Sequence, residues 1–140
     1  MPIADWRLQN SRMNKEDLKQ RTKKFALRVM KLVEALPKTP SGRAIGNQLV
    51  RCGTGVGSNY RACCRARSRA EFIAKIGIVE EEADESAFWM ELIIEGNLLP
   101  ASKVESLLTE ANELVAIMAS SRISAARTKQ SAIANRKSEI

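Results

Sequence analysis

Arg51-Cys-Gly-Thr-Gly-Val-Gly-Ser-Asn-Tyr60 places three glycines inside a helical pattern of apolar residues. A glycine loop that binds a nucleotide follows a strand and opens a helix, commonly with Lys-Ser or Lys-Thr, and this segment has neither the strand nor the lysine. Gly53 and Gly57 are four residues apart and therefore share one face of a helix. We expect them to permit close packing of a neighbouring helix, although the glycines are also compatible with a kink.

Apolar residues on both sides of this segment recur every three or four positions, which predicts helices. The first helix covers residues 15–36 with Asn14 as its N-cap, and prolines in the following connection end it. The second helix begins at Ser41 and contains the glycines. The predicted buried stripe of the first helix consists of Leu18, Thr22, Phe25, Val29, Leu32 and Leu36.

Two further helices follow. The third begins near Arg69 after the capping box Ser68–Glu71, and Gly96-Asn97 ends it. A second capping box, Ser102–Glu105, predicts the start of the fourth, which ends past Ile123. The predicted buried stripe of the third helix consists of Phe72, Ile76, Val79, Ala83, Ser86, Met90 and Ile93.

Four helices with short connections predict an all-α fold, an antiparallel up-down-up-down four-helix bundle. The chain has 140 residues, of which 44% are hydrophobic and only 4% aromatic, as suits one helical domain. We expect residues 1–13 to be a flexible N-terminal segment, residues 14–126 to form the bundle, and residues 127–140 to be a polar, loosely ordered tail. No apolar run approaches the length of a membrane span, and three cysteines are a poor disulfide framework, so we expect a cytoplasmic protein.

The net charge of +7 is unevenly distributed. Residues 1–69 hold 16 Lys and Arg against 4 Asp and Glu, whereas residues 70–140 hold 7 against 12. The basic half indicates an anionic partner, nucleic acid first, or else the two halves neutralise each other by packing. The cations at helical spacing that suit phosphate contact are Arg21, Lys24, Arg28 and Lys31 on the first helix and Arg61, Arg65, Arg67 and Arg69 around the end of the second.

The third helix is apolar on a second face. Ile78, Phe88, Trp89 and Leu92 point away from its buried stripe, and a helix that is apolar on two sides is buried on two sides. We expect these residues to form an interface between subunits, since aromatic residues commonly anchor interfaces. The alternative is that Phe88 and Trp89 are boundary residues that cover the fourth helix.

The residue types in the sequence give little support to a catalytic site or a metal site. The chain has no histidine, so it lacks the Ser-His and Cys-His pairs and the Glu-x-x-His ligands of di-metal bundles. The carboxylates at 80–85 are more typical of a solvated or salt-bridged face, in which Glu81 and Glu85 can pair with Arg51 or Arg61 of the second helix, within one subunit or between subunits. Cys63 fits the buried stripe, and Cys64 is expected at its periphery. We therefore expect no enzyme activity, no catalytic residue, no cofactor and no metal.

Four segments resemble a known bacterial family. These are Phe25-Ala-Leu, Gln48-Leu-Val-Arg-Cys-Gly-Thr-Gly-Val-Gly-Ser-Asn-Tyr-Arg61, Phe72-Ile-Ala-Lys75 and Glu82-Ala-Asp-Glu-Ser-Ala-Phe-Trp-Met-Glu-Leu92. They resemble the four-helix-bundle proteins encoded in intervening sequences of large-subunit ribosomal RNA genes. That family is related to the accessory variability determinant of diversity-generating retroelements. Cysteines at 52, 63 and 64 depart from the usual second helix, and the tail after residue 126 lies outside the resemblance.

The resemblance implies an up-down bundle that assembles as a ring, usually a pentamer, with a basic surface suited to RNA or DNA. In the retroelement branch it also implies a reverse transcriptase partner. It implies no catalytic residue. The hypothesis is thus a homo-oligomeric accessory protein that binds nucleic acid, and the alternative is a scaffold that docks a protein without touching nucleic acid.

Overall fold

The computed structural model describes the backbone of residues 14–138 and the side chains of residues 14–127. The helices are α1 (Lys15–Glu34), α2 (Pro40–Cys64), α3 (Arg69–Glu95) and α4 (Glu105–Ser138). A short 3-10 turn, Ala101–Lys103, precedes α4. The helices pack antiparallel in chain order, which confirms the predicted all-α four-helix bundle. The N-terminal segment, residues 1–13, lies outside the described residues.

Side-chain caps fix where the first two helices begin. Asn14 accepts a hydrogen bond from the backbone N–H of Asp17 at 2.8 Å, as predicted for the N-cap of α1. The start of α2 differs from the prediction by one residue. Thr39 is its N-cap and accepts from the N–H of Gly42 at 3.1 Å, and Pro40 occupies the first turn, where no helical N–H is lost.

The connection between α3 and α4 also differs from the prediction. Gly96 has an ordinary φ of −83°, and Asn97 instead takes the left-handed conformation, with φ 57°. The N–H of Leu98 then donates to the carbonyl of Ile93 at 2.9 Å, which is the hydrogen bond of a Schellman motif. Ser102 does not cap α4, because the 3-10 turn precedes the helix there.

The fourth helix is predicted to fray somewhere past Ile123, and its backbone is helical to Ser138. Nothing in the sequence between these positions breaks a helix, since it contains neither Gly nor Pro. The predicted loose order of residues 127–140 stays a prediction.

The core follows the predicted stripes. Every residue of the stripes on the first and third helices is buried. The helix pairs α1–α2, α2–α3 and α3–α4 pack extensively, whereas few residues of α1 and α4 lie close to each other. Long polar side chains span this weaker seam: Arg21 binds Glu110 at 2.7 Å and Arg28 donates to Ser106 Oγ at 3.0 Å.

The glycines of α2 allow its neighbours to approach closely. A Cβ at Gly53 would lie 2.7 Å from Cγ1 of Val29, and one at Gly57 would lie 3.3 Å from the carbonyl oxygen of Thr22, both on α1. A Cβ at Gly55 would overlap the carboxylate of Glu82 on α3. The helix containing them is continuous, so the glycines serve packing and leave no break.

Candidate nucleic-acid interface

One end of the bundle collects seven of the 16 cations of the first 69 residues. Because the helices alternate in direction, this end holds the start of α1, the end of α2 and the start of α3. Within the part of these three helix ends that the structure describes, the acids are Glu16, Asp17 and Glu71. We call it the basic end and define it by Lys15, Lys19, Lys23, Arg61, Arg65, Arg67 and Arg69.

A groove between α1 and α2 lies at the basic end. Lys19, Lys23 and Arg61 line it, and Gly57 and Ser58 form part of its wall in a cavity of about 180 Å³. The same three cations line an adjoining cavity of about 240 Å³. Lys19 Nζ lies 3.3 Å from Glu16, whereas among the described residues no carboxylate lies within ion-pair distance of Lys23 or Arg61. The groove therefore presents positive charge that this chain does not neutralise.

The cations of the predicted ridge on α1 have different surroundings, beginning with Arg21. Arg21 binds Glu110 at 2.7 Å and Glu113 at 2.8 Å across the seam to α4. The hydrogen bond with Glu110 raises the pKa of the Arg21 guanidinium. Burial acts to raise the pKa of Glu110, but the hydrogen bond and charge of Arg21 outweigh it and the pKa is lowered. Arg21 is thus neutralised within the fold.

The other three cations of that ridge differ in burial and in hydrogen bonding. Arg28 is half-buried and donates to Ser106, while Lys24 and Lys31 are exposed. Around the turn between α2 and α3, Arg61, Arg65 and Arg67 are exposed, and Arg69 is half-buried. The Nε of Arg69 is buried and has no hydrogen-bond partner among the described residues.

Sequence reasoning missed Lys19 and Lys23. They lie on the α2 side of α1, whereas Arg21 and Arg28 lie on the α4 side. The spacing of four residues was visible in the sequence, as was the same spacing at Arg61 and Arg65. The sequence does not reveal which faces of α1 and α2 pack together, and it is this packing that brings the lysines beside Arg61.

Two of the four residues predicted to form a subunit interface are exposed on α3. Ile78 is 45% exposed and Phe88 is 49% exposed. Trp89 and Leu92 are half-buried, and Trp89 packs against the core with its ring centroid 5.1 Å from that of Phe88. The indole ring therefore contacts both the core and the exposed Phe88. Its Nε1 is buried and has no hydrogen-bond partner among the described residues.

The carboxylates of α3 are distributed over separate contacts. Glu80 binds Arg122 of α4 at 2.6 Å, and Glu85 binds Arg51 of α2 at 3.3 Å, in keeping with a salt-bridged face. Glu82 accepts from Asn59 Nδ2 at 2.9 Å. Within residues 14–127, no group of three or more Cys, Asp and Glu side chains is placed to hold a metal ion.

The cysteines lie in the core. Cys63 is buried as predicted, but Cys64 is buried as well and does not lie at the periphery. The turn after α2 folds over it, with Ala66 also buried. Burial raises the pKa of Cys64 and that of Cys52, which disfavours the thiolate.

Glu82→Gln is expected to stabilise the protein at neutral pH. Burial raises the pKa of Glu82 above its ordinary value of 4.5 and outweighs the charge of Arg51, which acts to lower it. The folded state therefore binds this proton more tightly than the unfolded state. Glu82 therefore stabilises the folded state most at pH values below 4.5, its pKa in the unfolded chain. This stabilisation is lost as pH rises through the raised pKa of the folded state. Unfolding from pH 4 to 7 should show the variant's advantage growing with pH. Glu81→Gln at an exposed position is the control, and equal advantages at all pH values would contradict the account.

Comparisons with known proteins agree with this fold. The model of the family described as 23S rRNA-intervening sequence protein matches residues 14–120. A crystal structure from Bacteroides thetaiotaomicron, described as a protein of unknown function from the S23 ribosomal protein family, is 30% identical with a TM-score of 0.70. The match covers 75% of this chain and 97% of that one. A search of curated proteins gave no match. Among the described helices, none combines the length and apolar character needed to cross a membrane.

Proposed function

Since the chain belongs to the 23S rRNA-intervening sequence protein family, we propose that it binds structured RNA through phosphate contacts and acts as a homo-oligomer. The observation that carries the proposal is the groove between α1 and α2, where Lys23 and Arg61 have no acidic partner among the described residues. Cations that the fold does not neutralise attract a phosphate backbone.

The basic end suits recognition of backbone and shape. Base stacking needs an accessible aromatic ring, and Tyr60, the one aromatic residue on α2, is buried. Arg61, Arg65 and Arg67 are exposed at the turn and can each form paired hydrogen bonds with a phosphate. RNA helices are commonly recognised through their phosphates and shape, because their major groove is too narrow to admit side chains.

Fluorescence anisotropy with a labelled RNA hairpin tests this function. Nuclease-treated protein should bind at about 50 mM salt and weaken steeply towards 200 mM, because each phosphate contact releases counterions. A single-stranded RNA of equal length should bind less well. Absence of binding at low salt, or affinity that does not change with salt, would contradict the proposal.

Ile78→Asp combined with Phe88→Asp is expected to dissociate the oligomer. These exposed apolar side chains lie on the outer face of α3, and burying two carboxylates in an interface is strongly unfavourable. Sedimentation velocity should show the wild type as an assembly and the variant as a monomer of 15.5 kDa. Leu27→Asp on α1, where the side chain is 57% exposed, is the control. Unchanged assembly of the α3 variant, or dissociation by the control, would overturn this assignment.

A second candidate function is the docking of a protein. The observation that favours it is a groove of about 460 Å³ between α1 and α4. Its floor includes Leu32, Leu99 and Leu107, and Lys31 and Lys103 lie on its rim. An acidic, amphipathic helix of a partner fits this combination of apolar floor and basic rim. If the hairpin does not bind at low salt, this candidate takes precedence.

A further inference from the structure

The last helix extends beyond the rest of the bundle at the basic end. At about 1.5 Å per residue, the 34 residues of α4 span about 50 Å, whereas the 20 residues of α1 span about 30 Å. Arg21 pairs with Glu110 and Glu113, so in the antiparallel register the start of α1 is level with roughly residues 116–119 of α4. The remainder of α4 therefore continues past the first turn of α1.

The pairing with α3 shows how far this extension projects. Arg122 of α4 binds Glu80 of α3 at 2.6 Å. Counting along the two antiparallel helices from this pair, the start of α3 at Arg69 is level with roughly residue 133. The helix then continues to Ser138, about 8 Å beyond the neighbouring helix. We call residues 119–138 the α4 arm.

The charge of the α4 arm is entirely positive. Between Glu113 and Glu139 the chain has no Asp or Glu. The cations of the arm are Arg122, Arg127, Lys129, Arg136 and Lys137. Arg122 is paired with Glu80, and Arg127 is exposed.

The composition of the arm favours a polyanion over a protein surface. Its only large apolar residues are Ile123 and Ile133, and the rest are Ala, Ser, Thr, Asn, Gln and cations. Such a helix has little apolar area to bury against a protein. The family match ends at residue 120, so the arm begins where the shared bundle ends.

We propose that the α4 arm is a second nucleic-acid contact, one that extends the phosphate footprint of the basic end along the RNA helix. The inference rests on the proposed function, because it assumes that the basic end holds RNA. The arm and the α1–α2 groove lie at the same end of the bundle, so one duplex can contact both. Each cation of the arm that meets a phosphate adds to the salt dependence of binding.

Two variants test the arm. One ends the chain after Arg127, and the other keeps full length with Lys129→Gln, Arg136→Gln and Lys137→Gln. The full-length variant should leave thermal unfolding of the bundle unchanged. Both variants should weaken binding to the RNA hairpin about tenfold at 0.1 M salt, with the log–log salt slope reduced by about 2. Lys31→Gln, Lys38→Gln and Arg43→Gln at the opposite end form the control, which removes the same charge and should change neither quantity.

The outcomes separate the arm from the function of the bundle. If the full chain binds the hairpin and both arm variants bind with the same affinity and slope, the arm is not a nucleic-acid contact and the proposed function stands. If the arm variants lose self-assembly while their affinity for RNA is retained, the arm contacts protein and the inference is overturned. If the full chain itself does not bind, the proposed function and the arm both fail.

Discussion

Gly53→Ala is expected to lower the free energy of unfolding by up to about 2 kcal/mol, the opposite of what Ala normally does inside a helix. Replacing Gly by Ala gains about 1 kcal/mol of helix propensity, and overpacking a core costs about 1–3 kcal/mol. The added methyl would lie 2.7 Å from Cγ1 of Val29, which is fully buried and stiff at χ1. Neither helix can yield without disturbing its other contacts. Urea unfolding measures the change.

Gly77→Ala supplies the matched control. Gly77 also lies inside a helix, but a Cβ there meets only Arg122 Cδ at 3.9 Å, an ordinary contact. This variant should therefore gain about 0.5–1 kcal/mol. A double-mutant cycle with Val29→Ala should recover part of the loss at Gly53, because it removes the methyl groups that clash. If Gly53→Ala stabilised the protein as much as Gly77→Ala does, the close approach of α1 and α2 would be refuted.

The triple variant Lys19→Gln, Lys23→Gln, Arg61→Gln is expected to weaken binding to an RNA hairpin about 100-fold at 0.1 M salt. Three phosphate contacts of about 1 kcal/mol each correspond to two decades of affinity. The three side chains line one groove, and among the described residues neither Lys23 nor Arg61 has an acidic partner to which its charge is committed. Anisotropy titrations measure the affinity.

The control for this variant removes three positive charges from the opposite end of the bundle, with Lys31→Gln, Lys38→Gln and Arg43→Gln. All three residues are exposed, so the fold should be unaffected. If the two triple variants weaken binding equally, the effect reflects net charge and the groove has no special part in it. Circular dichroism should show that both keep their helices.

The two predictions are physically connected. Gly53 and Gly57 let α2 approach α1, and this approach brings Lys19 and Lys23 beside Arg61. Larger residues at the glycines would separate the helices and widen the groove. The glycine run is therefore both a packing device and the reason that cations from two helices share one site.

The helices and their buried faces could be predicted because they depend on local patterns. The spacing of Leu18, Phe25 and Val29 is enough to place one face of α1 in the core. Asn14 predicts the start of α1 because an N-cap binds backbone groups only a few residues away. The end of α4 stays open in the sequence because residues 124–138 are mostly polar yet contain nothing that stops a helix.

The site could be predicted only in part, because it depends on which helix faces meet. The sequence places Arg21 and Arg28 in a ridge, but only the fold shows Glu110 opposite Arg21. The sequence equally cannot tell that Lys19 and Lys23 face α2. Burial of Cys64 depends on the path of the turn that follows it, which no spacing reveals.

Lysine acetylation in the presence and absence of an RNA hairpin, read by mass spectrometry, tests the central claim most directly. The acetylation of each lysine measures how accessible that lysine is, so the RNA-bound surface is mapped without any amino-acid substitution. The account predicts that RNA protects Lys15, Lys19 and Lys23 at the basic end and leaves Lys31, Lys38 and Lys103 at the other end reactive. Protection of the second set, or no difference between the sets, would contradict it.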